Sequence, residues 1–191
     1  MRPNPIHLKE WQYSIALYRD QKAYSKLFLH FYKPLTHFAV SLVKNKEAAE
    51  EIFSDVMLKV WDIGAALEKI ENLSTYLFIA IKNTALNYLS RYHKAKFVDI
   101  TQVDIDLLQA YDPQQDECLK IELKHTMAAS IKALPPKCQL VYLLIKEYGL
   151  SYKQVAEIVG ISVNTVEGHM TTAMKKMAHS LKVYMDSDTE K

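Results

Sequence analysis

The chain is poor in the residues that build turns and crosslinks. Of its 191 residues only four are glycine, six are proline and two are cysteine. So few turn formers disfavour sheet-rich folds, which need many tight reversals. Cys118 and Cys138 are too few for a disulfide framework, and neither lies in a CxxC or beside an HxxxH pair. They read as reduced thiols on helices, and no metal site is expected. No apolar run approaches the roughly 18–20 residues that span a bilayer, so direct membrane insertion is not expected. Met1 to Glu10 holds two prolines and no apolar stretch, which argues against a signal peptide. A phosphate-binding glycine loop, a cluster of metal ligands and a nucleophile–base pair are all missing, and the seven histidines are scattered. No cofactor and no bond chemistry are therefore expected.

What is present is apolar content and an uneven charge. Hydrophobic residues make up 49% of the chain, enough to bury a core. The net charge of +2 hides a pattern: residues 1–96 carry +5, residues 97–117 carry −6, and residues 118–191 carry +3. Two mildly basic blocks thus flank an acidic connector.

Both basic blocks carry helical periodicity. Helices are expected over Trp11–Tyr18 and Tyr24–Val43, the second with Leu27, Phe31, Leu35, Phe38 and Leu42 on one face. A third is expected over Glu47–Trp61, with Ala49, Ile52, Phe53, Val56 and Val60 inward and Asp62-Ile63-Gly64 at its end. A fourth runs from a Ser74 N-cap to about His93, with Leu77, Ile81, Ala85 and Tyr88 or Leu89 inward. The stretch 97–117 reads as a linker, with a short helix around Asp106–Tyr111. Beyond it the spacing predicts helices over about Glu117–Ala133, from Pro135-Pro136 to Gly149, from Ser151 to Gly160, and from Ser162 to about Tyr184, followed by a polar tail at 186–191. The fold class is all-α: an N-terminal helical bundle (1–96) and a C-terminal four-helix module (118–185) joined by the acidic linker.

The sharpest motif is Ser151–Lys176. Ser151 and Gln154 form a capping box, Gly160-Ile161-Ser162 makes a short turn, and Val155, Ala156, Val159, Ile161, Val166 and Met170 lie where two steeply crossed helices touch. This spacing fits helix-turn-helix geometry, whose second helix enters a DNA major groove; the alternative is an ordinary αα-hairpin with a solvated polar face. On that helix Val166, Met170, Met174, Met177 and Leu181 are expected inward. Ser162, Asn164, Thr165, Glu167, Gly168, Thr171, Thr172, Lys175 and Lys176 remain for DNA, where amide, carboxylate, hydroxyl and ammonium groups read base edges or hold phosphates.

Two further rows carry less specific signals. Tyr76, Asn83, Asn87, Arg91 and Lys94 fall on one helical stripe, a mixture suited to single-stranded nucleic acid. On spacing alone, a solvated helix face explains it equally well. Glu51, Asp55 and Lys59, four residues apart, are either a local ion-pair row or a docking edge for a basic helix.

Taken together these segments resemble the sigma-70 family of RNA polymerase sigma factors. Ala49–Trp61 resembles region 2.2, and Asn72–Arg91, with Tyr76-Leu77 and Ile81-Lys82-Asn83, resembles regions 2.3 and 2.4. Leu134–Lys176 resembles region 4. Regions 2 and 4 with only a short connector are similar to the extracytoplasmic-function (ECF) group. The resemblance implies a cytoplasmic initiation factor whose partners are core RNA polymerase, promoter DNA and an anti-sigma factor. It implies that Glu51, Ser54, Asp55 and Lys59 meet the β′ clamp helices, and that Asn72, Ser74, Tyr76, Asn83, Asn87, Arg91 and Lys94 hold the melted −10 element. The helix-turn-helix would read the −35 element and meet the β flap, and the linker would thread toward the active-site cleft. Ser54 stands where the family usually has Gln, and Thr172 where Arg is frequent. The competing readings are a stand-alone dimeric helix-turn-helix regulator and a helical enzyme or ligand carrier.

Overall fold

A computed structural model describes residues 5–92 and 121–188, with side chains over 7–91 and 126–182. The described residues form eight α-helices and one 3-10 turn, and no strand. They gather into two compact units, one within Met1–Asp99 and the other within Ile100–Lys191. The linker, with the short helix expected in it, and Lys94 lie outside the described residues.

The first unit contains α1 (Pro5–Tyr18), α2 (Gln21–Val43), α3 (Lys46–Ile63), a 3-10 turn (Gly64–Lys69) and α4 (Leu73–Tyr92). Asp20 caps α2 by accepting from the Lys22 and Ala23 amides, and Asn45 caps α3 by accepting from Ala48 N at 2.7 Å. The predicted stripes of α2 and α3 are buried against one another and against α4. Phe38 meets Phe78 edge-on at 5.3 Å, and Phe28 meets Phe53 at 4.9 Å. Phe38, Phe53 and Phe78 are buried, each contributing about 1.5–3 kcal/mol, while Phe28 is half-buried; truncating Phe53 to Ala would cost about 3–5 kcal/mol. Among the described residues, the buried Thr36 hydroxyl has no hydrogen-bond partner. Gly64, at φ 60°, ends α3 as expected.

The start of α4 differs from the sequence reading. Asn72, not Ser74, is its cap: Asn72 Oδ1 accepts from Thr75 N at 3.1 Å, and its carbonyl accepts from Tyr76 N. Both residue types cap well, but Leu73 is buried in the core, and the helix starts two residues earlier than a Ser74 cap would set. Further along, Leu89 is buried and Tyr88 only half-buried.

The second unit contains α5 (Ile121–Lys132), α6 (Pro136–Lys146), α7 (Tyr152–Val159) and α8 (Val163–Asp188). Its core joins Leu140, Val141 and Leu144 of α6, Val155 and Ile158 of α7, and Val166, Met170, Ala173 and Met177 of α8. Three expectations need correction. First, α6 stops at Lys146 rather than Gly149; Gly149, at φ 69°, reverses the chain while Leu150 N bonds to Leu144 O. Second, Met174 is 45% exposed and Leu181 half-buried, because the buried row of α8 steps 166–170–173–177 and the small Ala173 lets the neighbouring helices close in. Third, α8 runs to Asp188, past the expected start of the tail, because no proline interrupts it after Pro136.

Candidate nucleic-acid interface

In the second unit the local chemistry of α7 and α8 sets the geometry of a helix-turn-helix. Ser151 N donates to Gln154 Oε1 at 2.8 Å, and Gln154 N donates to Ser151 Oγ at 3.3 Å, completing the capping box. Gly160 takes the left-handed conformation at φ 79°, and its amide and that of Ile161 both close on Ala156 O. Ser162 Oγ then accepts from Thr165 N at 3.1 Å and starts α8.

The polar residues predicted for DNA all stand exposed on this second helix or at its cap: Ser162, Asn164, Thr165, Glu167, Gly168, Thr171, Thr172, Lys175 and Lys176. At 100° per residue, Asn164, Gly168, Thr171 and Lys175 form one row, with Thr165, Thr172 and Lys176 on one flank and Glu167 on the other. The buried row lies opposite. Some of these groups are already engaged: the Ser162 and Thr165 hydroxyls are 2.8 Å apart, and Thr172 Oγ1 donates back to Gly168 O. Behind the row, Cys138 Sγ of α6 lies 3.4 Å from His169 Nδ1. Burial pushes the Cys138 thiol up from its ordinary value, against the pull of Lys176, so it is held as a neutral thiol.

The stripe in the first unit is largely assembled. Asn72, Asn83, Asn87 and Arg91 are exposed and Tyr76 half-exposed, all on one side of α4. Ser74 falls about 200° around the helix from Tyr76 and does not join them. The Asn72 side chain is also spent on its cap. Lys82, next to the stripe, is partly buried, which lowers its pKa from the ordinary lysine value.

On α3, Glu51, Ser54, Asp55 and Lys59 are all exposed, with Leu58 at 58% exposure among them. Among the described residues no ion pair joins Asp55 to Lys59; the acidic group that is paired is Glu50, which lies 4.0 Å from Lys46 and accepts from the Tyr32 hydroxyl. The Ser54 hydroxyl donates to Glu50 O at 2.8 Å.

Two residues on the first unit escaped the sequence reading. Gln12 of α1 is buried and donates from Nε2 to the carbonyls of Leu67 and Ile70, each at 2.7 Å. Arg19, in the α1–α2 turn, donates to Trp61 O and lies 4.1 Å over the Trp61 ring. The signal available for Gln12 was an amide on the same helical face as Ile15 and Ala16.

Among the described residues no group of three or more His, Cys, Asp or Glu could hold a metal ion, and no helix is long and apolar enough to cross a membrane. An all-helical chain with a helix-turn-helix in one unit and a polar stripe in another is the architecture of a nucleic-acid-binding protein. Comparison with known families sharpens this. Residues 27–95 match the family model "Sigma-70 region 2" and residues 125–177 match "Sigma-70, region 4". A protein named "Probable RNA polymerase sigma factor RfaY", from Xanthomonas campestris, is 23% identical over 87% of this chain, and the match spans 42% of that relative's length. The "ECF RNA polymerase sigma factor EcfG" of Rhodopseudomonas palustris is 25% identical over 78% of this chain and 80% of its own. The sigma factor RpoE of Bartonella quintana, solved in complex with the anti-sigma factor NepR, has a similar fold, with a TM-score of 0.53 and 23% identity, covering 85% of this chain and 98% of that one. The chain belongs to the sigma-70 family, in the ECF group of RNA polymerase sigma factors.

Proposed function

We propose that this sigma factor carries core RNA polymerase to promoters by a division of labour between its two units. The C-terminal unit (118–185) reads the −35 element as duplex through α8. The N-terminal unit (1–96) binds core polymerase through Glu51, Ser54, Asp55 and Lys59 of α3 and captures the melted −10 strand along α4. The observation that carries this reading is the order of the matches: region 2 and region 4 occur in one chain, and each coincides with an exposed polar row of the matching chemistry.

The mechanism needs binding energy and no bond chemistry in this chain. Asn and Glu side chains on α8 can discriminate base edges in the major groove, while Lys175 and Lys176 follow phosphates. On α4 the Tyr76 ring can stack on an unpaired base, with the Asn83 and Asn87 amides toward base edges and Arg91 toward the backbone. Base capture offsets an unstacking cost of a few kcal/mol. With a net charge of only +2, the free chain neutralises few phosphates, so it binds promoters weakly alone. Polymerase supplies the rest by holding both units on one platform. The partners are thus core polymerase, through its β′ clamp helices and β flap, and promoter DNA. An anti-sigma factor is a further partner, supported by the solved relative's complex. The site of action is the cytoplasm, where the polymerase works. The comparisons lend no support to a stand-alone dimeric regulator.

Run-off transcription with purified core polymerase tests this reading. Start-site-specific transcripts that require the chain are expected. Their absence from every genomic template would overturn it.

A further inference from the structure

The connection between α3 and α4 is held from outside itself. A 3-10 turn leaves its last carbonyls without helical partners. Here Leu67 O accepts from Ile70 N, and further donors to Leu67 O and Ile70 O come from the far N-terminal end of the unit. Gln12, 5% exposed, gives its side-chain nitrogen to Leu67 O and Ile70 O, residues 55 and 58 positions away. A carboxamide nitrogen has two donors, and both are used. Arg19 grips the other end of the same connection at Trp61 O, and its guanidinium lies 3.6 Å from where a Cβ on Gly64 would stand. Leu67 is fully buried beneath the turn, which packs mainly on α1. Gln12 and Arg19 both precede residue 27, where the match to the region 2 model begins.

What the connection delivers is the start of the polar stripe. Ile70 is followed by Glu71 and Asn72, both exposed, and Asn72 caps α4. Lys69 is exposed just before them. We propose that Gln12 is a positioning residue for −10 recognition: from α1 it fixes the connection that sets Lys69, Glu71 and Asn72 over the first turn of α4. This rests on the reading of α4 as the −10 surface. A residue that only filled space at position 12 could be Met or Leu; the amide adds a second donor to Leu67 O, which also accepts from Ile70 N, and supplies one to the part-buried Ile70 O.

The test uses the full chain with core polymerase. Gln12→Met keeps the length and apolar bulk of the side chain and removes the donors. Transcription is scored on promoters carrying each base in turn at the −10 element and, separately, at the −35 element. Discrimination at −10 should fall about fivefold to tenfold, the order expected for losing a buried hydrogen bond, while −35 discrimination and core-polymerase affinity stay at the wild-type level. Amide hydrogen exchange over residues 64–73 of the free chain should quicken, with α5–α8 unchanged. Unaltered −10 discrimination would overturn the proposal, and so would an equal loss at −10, at −35 and in polymerase binding, which marks a general folding defect. Should the Met variant fail to fold, Gln12→Asn withdraws the same amide by one methylene. It must weaken −10 discrimination selectively, and wild-type behaviour overturns the idea. If the wild-type chain itself directs no start-site-specific transcription, the reading of α4 fails, and the exchange experiment still decides whether Gln12 holds the connection.

Discussion

At the residue scale, exposure decides which predictions are clean. Asp55 is solvent-exposed, so reversing its charge changes the surface and leaves the core untouched. Asp55→Lys should weaken association with core polymerase by about tenfold or more while the thermal midpoint moves little; a pull-down and a melting curve check both halves. Glu167 stands on the flank of the α8 row with its carboxylate free to accept from a cytosine amino group. Glu167→Ala should change the preferred −35 sequence, removing ~1–3 kcal/mol of discrimination at one base pair, with little effect on general DNA affinity. A promoter-library selection returning the wild-type motif would exclude that contact.

At the element scale, two glycines make opposite forecasts from the same amount of space. A Cβ at Gly160 or at Gly168 would meet nothing within 4 Å, so sterics with neighbours do not separate them. Backbone conformation does. Gly160 sits at φ 79°, so Gly160→Ala should destabilise the C-terminal unit by about 1–2 kcal/mol. Gly168 lies inside α8, so Gly168→Ala should stabilise by up to about 1 kcal/mol. Denaturant midpoints of the two variants should move in opposite directions. The same contrast explains what was legible in the sequence. Signals that act locally, such as the Ser151–Gln154 box, the Gly160 turn and the stripes of α2 and α3, were read correctly because the physics that forms them lies within a few residues. Choices settled by packing were not. Asn72 won the α4 cap over Ser74 because Leu73 is wanted in the core, and Ala173 displaced Met174 from the buried row because α8 lies close to its neighbours. For Gln12 only its place on the inward face of α1 was visible, because its partners are more than fifty residues away.

At the scale of the whole molecule, the N-terminal unit should lose stability in acid. His30 and His37, on α2, are half-buried, and burial lowers both below the ordinary 6.5; Lys33 pushes His37 further the same way. The unfolded chain therefore binds protons that the folded unit refuses. The stability this confers on the neutral form is complete above about pH 6.5 and drains away as pH falls through the lowered folded values. The N-terminal unit should melt at a lower temperature at pH 5.5 than at pH 7.5, and replacing both histidines with Gln should flatten the difference. The molecule carries its own means of seeing this. Both of its tryptophans belong to that unit, Trp11 with its ring 6.3 Å from that of His30 and Trp61 beneath Arg19. Indole fluorescence is thus a private channel to one half of the chain, and its colour will shift when α1 lets go, whatever the helices that read duplex DNA are doing.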